Sequence, residues 1–266
     1  MTSSRAEVAA APKAVRQHVI LQRLALILII LGIWQALAAT VPDYLFPGPL
    51  DTYEAFLRIA RDGSIGLHLS HTIYRVTAGF LISTVLGVPI GIILGSSKAL
   101  GEFFAPVVPI INSVSSAIWA LVAVVWFGLS DMTPIFVALM TALPLIVTNV
   151  WEGTRNVNVE WIELARSVRM SRTKIFWKIY VPAILPFFFS GARLAFGFGA
   201  RVSLVAEALG SSTGVGYMIV RSADLLQMSN VFAWSILLTV MIVGIERLII
   251  APIESYFFRW RRNAQS

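Results

Sequence analysis

The sequence predicts an all-α, polytopic membrane protein with six transmembrane helices. Only 13% of the 266 residues are charged and 57% are hydrophobic, whereas a soluble domain of this size has roughly 25% charged residues on average. Several stretches are apolar over about 20 residues, the length that crosses a bilayer. The chain carries a net charge of +7, but its Lys and Arg residues lie between the apolar runs. That placement is typical of membrane topology and speaks against a nucleic-acid-binding role, which requires a basic face on a soluble fold.

Each predicted span is an apolar run with few charges. In chain order the runs are residues 24–42, 76–97, 103–129, 133–151, 179–207 and 231–252. The first run ends in Leu37-Ala38-Ala39, which resembles a signal-peptide cleavage site. A secretory apolar region is only about 7–15 residues long, so we predict a retained span instead. The outer segment 43–68 contains the turn Pro47-Gly48-Pro49 and then a short amphipathic stretch.

The distribution of basic residues predicts the orientation. With the N-terminus inside, the inner segments hold Lys98 and the basic residues of both termini and of the segment 152–182. The outer segments hold only Arg58, Arg61 and Arg221. Cytoplasmic segments carry the excess of Lys and Arg, so we expect both termini in the cytoplasm. We divide the chain into residues 1–64 (N-terminal tail, first span and outer loop), 65–255 (a core of five spans) and 256–266 (a basic cytoplasmic tail).

The inner segment 152–182 has the pattern of two short helices. Trp161, Leu164, Ala165 and Val168 recur at helical spacing, and Asn158 is a candidate N-cap. We expect a turn after this helix and then a second helix that ends at Pro182. The segment either lies against lipid through its apolar stripe or docks a cytoplasmic partner. Its length of about thirty residues favours docking, because two to eight residues suffice to join neighbouring helices.

Several motifs in this region point to a family. The segment resembles the EAA loop of ABC importer permeases through the motifs Glu163-Leu164-Ala165-Arg166-Ser167-Val168, Ser171-Arg172 and Ile179-Tyr180-Val181-Pro182-Ala183-Ile184-Leu185-Pro186. Further motifs are similar to the nitrate/sulfonate/taurine branch of that family. These are Arg75-Val76-Thr77-Ala78-Gly79-Phe80, Leu86-Gly87-Val88-Pro89-Ile90-Gly91, Trp126-Phe127-Gly128-Leu129-Ser130-Asp131, Ala206-Glu207 and Thr213-Gly214-Val215-Gly216-Tyr217-Met218-Ile219. The resemblance covers roughly residues 65–255.

The resemblance implies a type I ABC importer transmembrane domain in the bacterial inner membrane. The expected function is the permease subunit of a binding-protein-dependent importer for a small anionic solute. The expected partners are a second copy of the chain, cytoplasmic ABC ATPase subunits, an extracytoplasmic solute-binding protein and the lipid membrane. No cofactor is expected in this chain, because ATP and Mg²⁺ would be bound by the ATPase. The alternative, a stand-alone secondary transporter or channel, predicts inverted repeats, and the sequence shows no corresponding halves.

The resemblance also implies which residues couple to the ATPase. They are Glu163, Ala165, Arg166, Ser167, Arg169 and Ser171. Arg169 departs from the family pattern, which usually has Gly at this turn. Gly adopts positive φ without strain, whereas Arg adopts it at a cost. Either the turn is built differently here or Arg169 makes a compensating contact with the ATPase.

Charged residues within the apolar runs are candidates for the translocation path or for gating, because charges at membrane depth usually face a bundle interior or water. Arg75, Arg193 and Arg201 either attract an anion or pair with a carboxylate, and the pairs we consider are Arg201 with Glu207 and Arg75 with Glu207. Arg75 and Glu207 occupy positions where the family has the same residue types. The resemblance therefore favours a structural or gating pair.

A polar cluster interrupts the third apolar run. It consists of Asn112, Ser113, Ser115 and Ser116, which either line the path or hydrogen-bond to one another and to the backbone. Gly87, Gly91 and Gly95, at four-residue spacing, predict close helix packing.

The sequence predicts neither a catalytic nor a metal site. Residues 210–214 match the GxSxG pattern, but a nucleophile elbow requires a strand before the serine. There is no GxxxxGK[ST] motif for an ATP-binding loop. The three His residues lack HExxH spacing, and the chain has no Cys.

Overall fold

A computed structural model describes residues 13–257, which form helices without any strand in that range. Of the predicted cytoplasmic tails, residues 1–12 and 258–266 lie outside the described residues. In chain order the α-helices are α1 (Lys13–Ala38), α2 (Pro49–Arg61), α3 (Ser64–Ser96), α4 (Lys98–Phe104), α5 (Val107–Ser113), α6 (Ser116–Phe127), α7 (Met132–Arg155), α8 (Val159–Ser167), α9 (Arg172–Ile175), α10 (Val181–Gly210), α11 (Val215–Asp224), α12 (Met228–Ile245) and α13 (Ala251–Phe257). Two π-helical segments, Phe176–Tyr180 and Glu246–Ile250, join α9 to α10 and α12 to α13.

Helix α7 lies at the centre, packed between α3 and α10. Its contact with α3 runs along a row of glycines. A Cβ added at Gly79 would lie 2.6 Å from Ala138 Cβ, and one at Gly91 would lie 2.7 Å from Val150 Cβ. Gly87 faces Ile146 in the same way, and Gly95 faces Thr154. The two backbones therefore approach as closely as glycine allows, which confirms the predicted packing role of these residues.

Five of the six predicted spans are helices long and apolar enough to cross a membrane, but the third is not a straight helix. Its two parts, Lys98–Ser113 and Ser116–Phe127, meet at an angle of 85°. Between them Val114 is extended, with ψ of 121°, and the Ser115 hydroxyl accepts a hydrogen bond from the Ala117 N–H. The third predicted span, residues 103–129, therefore consists of two helices joined at a bend, where Ser115 starts a new helix.

The predicted short amphipathic helix in the outer segment is α2. Thr52, Ala55 and Ile59 are its buried residues. Most of α1, in contrast, is exposed. Trp34 anchors the C-terminal end of α1 by donating a hydrogen bond from Nε1 to Pro47 O at 3.0 Å.

The fifth span continues directly from the loop, so the prediction that a short helix ends at Pro182 was wrong. Residues from Arg172 to Gly210 form one long helical unit that passes through the π-helical segment. The N–H of Val181 bonds to Phe176 O across this wider turn. Pro182 thus lies inside this unit, directly after the π-helical segment, and its missing N–H leaves one backbone bond of the unit unmade.

Candidate functional site: an exposed loop and a buried ion network

The loop between α7 and α10 begins with a capped helix. Asn158 is extended, and its Oδ1 accepts a hydrogen bond from the Glu160 N–H at 2.8 Å. This confirms the predicted N-cap of α8. Glu160 lies in the first turn, where its negative charge interacts favourably with the positive end of the helix dipole.

The apolar stripe predicted on this helix does not cover the core of the loop. Trp161 is 61% exposed, Leu164 56% and Val168 66%. Only Ala165 of the predicted stripe is buried, together with Ile162, in a cluster described below. Helical spacing identifies residues that share a face, but it does not say which face has a neighbour. The exposed side of α8 therefore carries large apolar side chains next to polar and charged ones.

A small core of apolar residues holds the loop in shape. Its buried members are Val157, Ile162, Ala165 and Ile175, with Met170, Ile179, Tyr180 and Ala183 packed around them. This core joins α8 to α9 and to the start of the fifth span. The loop is therefore an ordered unit, consistent with its helical sequence pattern.

Arg169 forms the turn at the end of α8 with a left-handed backbone, φ being 55°. The Met170 N–H donates to Ala165 O at 2.9 Å, and the Arg169 N–H donates to Arg166 O at 2.9 Å. This pair of bonds is the Schellman motif that usually places Gly at the left-handed position. The turn thus has ordinary geometry, and the first of the two predicted explanations for Arg169, a differently built turn, was wrong.

The residues predicted to couple to an ATPase lie mostly on the outside of this loop. Glu163, Arg166, Ser167, Arg169 and Ser171 are all exposed. Ala165 is only 5% exposed and belongs to the core of the loop. Its small side chain allows α8 to pack closely, so its place in the structure is internal.

A buried ion network lies at the other end of α7. The Arg75 side chain is 2% exposed. Its Nη1 donates to Glu207 Oε1 at 3.1 Å and to Thr213 O at 2.6 Å. Its Nε and Nη2 donate to Asp131 Oδ1 at 2.9 and 2.6 Å, and Nη2 also donates to Thr213 Oγ1 at 2.8 Å. All five guanidinium N–H donors are therefore used.

Glu207 is fully buried and its second oxygen is also bonded. Its Oε2 accepts from the Thr72 hydroxyl at 2.9 Å and from the Gly216 N–H at 3.0 Å. Gly214 adopts φ of 109°, and a Cβ there would lie 2.5 Å from Glu207 Oε2. Only glycine fits this position, both for its backbone and for the space beside the carboxylate.

The network joins α3, the α6–α7 turn, α10 and the start of α11. Sequence reasoning identified Arg75 and Glu207, but it missed Asp131, Thr72 and Thr213 as their partners. Asp131 and Thr213 were present at the ends of two motifs quoted for the family resemblance. Their contact with Arg75 was not visible because they are far from it along the chain.

His68 adds a further contact to this region. Its Nδ1 accepts a hydrogen bond from the Gly214 N–H at 3.1 Å. The ring also packs edge-on against buried Trp234, with 5.7 Å between the ring centroids. His68 therefore supports the α10–α11 turn from the side of α3.

The other intramembrane arginines have different surroundings. Arg193 pairs with Glu246 at 3.7 Å and also with Glu254. Arg201 is exposed on α10. No hydrogen bond or ion pair joins it to another residue that the structure describes. Of the two pairs considered for Glu207, the structure forms the one with Arg75 and not the one with Arg201.

The polar cluster at the break between α5 and α6 lines a cavity of about 430 Å³. Its walls also include Trp119, Thr141 and Phe198. The Ser113 hydroxyl donates to Pro109 O, and Ser115 caps α6. Within the described chain, the side chains of Asn112 and Ser116 make no hydrogen bond. The cluster is thus only partly satisfied by its own contacts.

Comparison with known proteins agrees with this architecture. Residues 87–252 match the family model described as "Binding-protein-dependent transport system inner membrane component". The chain is 30% identical to the bicarbonate transport system permease protein CmpB of Synechococcus elongatus, covering 91% of this chain and 89% of CmpB. It is 29% identical to the putative aliphatic sulfonates transport permease protein SsuC of Bacillus subtilis, with 88% and 86% covered. The nitrate import permease protein NrtB of Synechococcus elongatus is 28% identical, with 72% of each chain covered.

A solved structure shows the same fold. A chain of the MetNI methionine ABC transporter, in an inward-facing conformation, superposes with a TM-score of 0.58 at 17% identity. The match covers 71% of this chain and 94% of that chain. The predicted fold class and family are confirmed, and the chain is a multi-pass permease subunit of an ATP-driven importer, not itself an enzyme. It belongs to the family of binding-protein-dependent transport system inner membrane components.

Proposed function

We propose that two copies of this chain enclose a path for a small anionic solute, and that an ABC ATPase drives transport by pressing on the loop around α8. A solute-binding protein would deliver the solute at the outer face. ATP and Mg²⁺ would be bound by the ATPase subunit. In this arrangement both termini face the cytoplasm, on the same side as the loop.

The exposed face of the loop carries this proposal. Trp161, Leu164 and Val168 are each more than half exposed, beside the exposed charges of Glu163 and Arg166. Apolar side chains rimmed by charges are typical of protein–protein contact surfaces. The core of the loop keeps this face rigid, so little ordering is required when a partner binds.

An anionic solute is supported by the relatives. The proteins most informative here are named for bicarbonate, aliphatic sulfonates and nitrate, all of which are small anions. Apart from their negative charge these anions differ chemically, so the requirement they share is a path that accepts negative charge.

The test is copurification of the chain with its ATPase from membranes. We expect Glu163→Lys to reduce copurification at least tenfold, because it places a positive charge next to Arg166 on the docking face. Glu102→Lys is the matched control: Glu102 is also exposed and acidic, but it lies on α4, paired with Lys98. Normal copurification and uptake in Glu163→Lys, or an equal loss in both variants, would contradict docking at this loop.

A further inference from the structure

We infer that Arg201 is a specificity-determining residue of the translocation path, supplying the positive charge that favours a small anion near the middle of the membrane. This rests on the proposed function, because it assumes that a path runs along the exposed face of α10. The inference itself comes from the depth of Arg201, its lack of a partner among the described residues and the polar cavity lined by Phe198, one helical turn away.

Arg201 belongs to a single exposed stripe of α10. The other members of this stripe are Leu194, Phe198, Val205 and Leu209, all exposed and apolar. Their spacing of three and four residues places them on one side of the helix. The opposite side, including Ala195, Val202 and Ala206, is buried within the bundle. Arg201 is therefore a charged residue in the centre of an otherwise apolar face.

Arg201 lies too deep in the membrane for its side chain to reach the membrane surface easily. It lies nine residues before Gly210, the last residue of α10, so its Cα is roughly 13 Å from that end. A hydrocarbon core is about 30 Å thick, which places Arg201 near its middle. Its side chain also extends away from the outer surface, since Nη1 lies 3.8 Å from the Cβ position of Gly197. A charge in that place faces water or a polar partner, because lipid does not solvate it.

The other intramembrane arginines of the core have carboxylate partners. Arg75 is bonded to Asp131 and Glu207, and Arg193 is paired with Glu246. Arg201 has no such partner among the described residues. Its charge is therefore available to an anion.

The polar cavity at the α5–α6 break lies at a depth in the membrane similar to that of Arg201. The Ser130 N–H bonds to Gly210 O at 3.1 Å, so the outer ends of α6 and α10 are level. Ser116 is eleven residues from the end of α6, or roughly 16 Å. Phe198 is part of the exposed stripe and also lines the cavity. Asn112 and Ser116, which lack hydrogen-bond partners in the described chain, thus offer donors next to the face that carries Arg201.

The recognition we infer combines one fixed charge with a few neutral donors. Arg presents a planar array of N–H groups that matches oxyanions, and amide or hydroxyl groups complete the contact. An anion bound only by these groups would dissociate readily, which transport through a path requires. Arg201 would not stabilise a neutral or cationic solute in the path.

The experiment uses the absence of cysteine from the natural chain. Phe198→Cys gives a single thiol one helical turn from Arg201. In membranes containing the assembled transporter, the thiol is labelled with an anionic reagent (2-sulfonatoethyl methanethiosulfonate) and with a cationic one (2-trimethylammonioethyl methanethiosulfonate). The ratio of the two labelling rates reports the local charge without any knowledge of the solute.

We expect Arg201→Gln, added to Phe198→Cys, to lower the anionic-to-cationic rate ratio about tenfold, the scale of one unit charge within a helical turn. Arg201→Lys keeps the charge and should retain most of the ratio. The matched control is Arg221→Gln, which removes a positive charge from the outer helix α11 and should leave the ratio unchanged.

Two results would overturn the inference. If neither reagent labels Phe198→Cys, the stripe does not face water. If the ratio is the same with and without Arg201, its charge does not act on the path. Copurification of the ATPase is measured on the same membranes, so a chain that binds the ATPase but shows no charge effect separates failure of this inference from failure of the proposed function.

Discussion

Arg75 and Glu207 form an ion pair at 3.1 Å in which both side chains are almost completely shielded from solvent. They lie 132 residues apart in the chain and connect α3 to α10. Desolvating two charges is costly, and such a pair is favourable only when further hydrogen bonds satisfy both groups. Thr72, Asp131, Thr213 and the Gly216 N–H provide those bonds.

Glu207→Gln removes the charge but keeps the shape, and we expect it to destabilise the protein by about 3–5 kcal/mol, because Arg75 would lose its buried partner. The measurement is thermal unfolding of the purified transporter in detergent. Asp131→Asn is the comparison: the Asp131 side chain is 48% exposed and Arg75 keeps Glu207 as its buried partner, so the loss should be smaller, about 1–2 kcal/mol. Similar losses in both variants would mean that burial does not determine the strength of this network.

Gly91→Ala should destabilise the α3–α7 contact by about 1–3 kcal/mol, the usual cost of overpacking. The new methyl group would lie 2.7 Å from Val150 Cβ and 2.9 Å from the backbone oxygen of Val147, and a backbone oxygen cannot rotate away. The readout is again the unfolding temperature. Gly66→Ala, in the same helix, is the control: nothing lies within 4 Å of the added methyl there. Ala is the better helix former, so this control should be about 0.5–1 kcal/mol more stable. A rise in unfolding temperature for Gly91→Ala would argue against the close helix approach.

Arg169→Gly should stabilise the turn after α8 by about 1 kcal/mol, because Gly adopts the left-handed conformation without the strain that a side chain brings. Hydrogen exchange of the loop is the suitable measurement. The Met170 amide, bonded to Ala165 O, should exchange more slowly in the variant. Arg172→Gly removes the same charge at a helical position nearby and should speed exchange. If Arg169→Gly also sped exchange, the turn would depend on contacts of the Arg169 side chain.

Much of the fold could be predicted because membrane spans require long apolar runs, whatever their tertiary contacts. The bend at Ser115 was missed because the run is uncharged on both sides of it. The signal was still present, since Asn112, Ser113, Ser115 and Ser116 are residue types that favour helix ends. The Arg75–Glu207 pair could be proposed from residue type and depth. The place of Asp131 beside it could not, because that contact depends on how α3 meets the α6–α7 turn.

The loop shows a different limit of sequence reasoning. The spacing of Trp161, Leu164 and Val168 correctly groups them on one face. Whether that face is covered depends on where Ile175 and Val157 lie, and the spacing contains no information about this. The position of this core is what leaves the face of Trp161, Leu164 and Val168 exposed.

The row of glycines between α3 and α7 has a mechanical consequence. With the two backbones this close, turning or sliding one helix would bring Ala138 and Val150 against the backbone of α3, so we expect the pair to move as one rod. One end of α7 leads into the exposed loop at Arg155, and the other begins beside Asp131, which is bonded to Arg75 of α3. The rod therefore spans the distance from the loop to the buried ion network. Pro144 interrupts the backbone hydrogen bonds of α7 midway, so we expect the close packing against α3 on both sides of it to carry a displacement of the loop to the ion network.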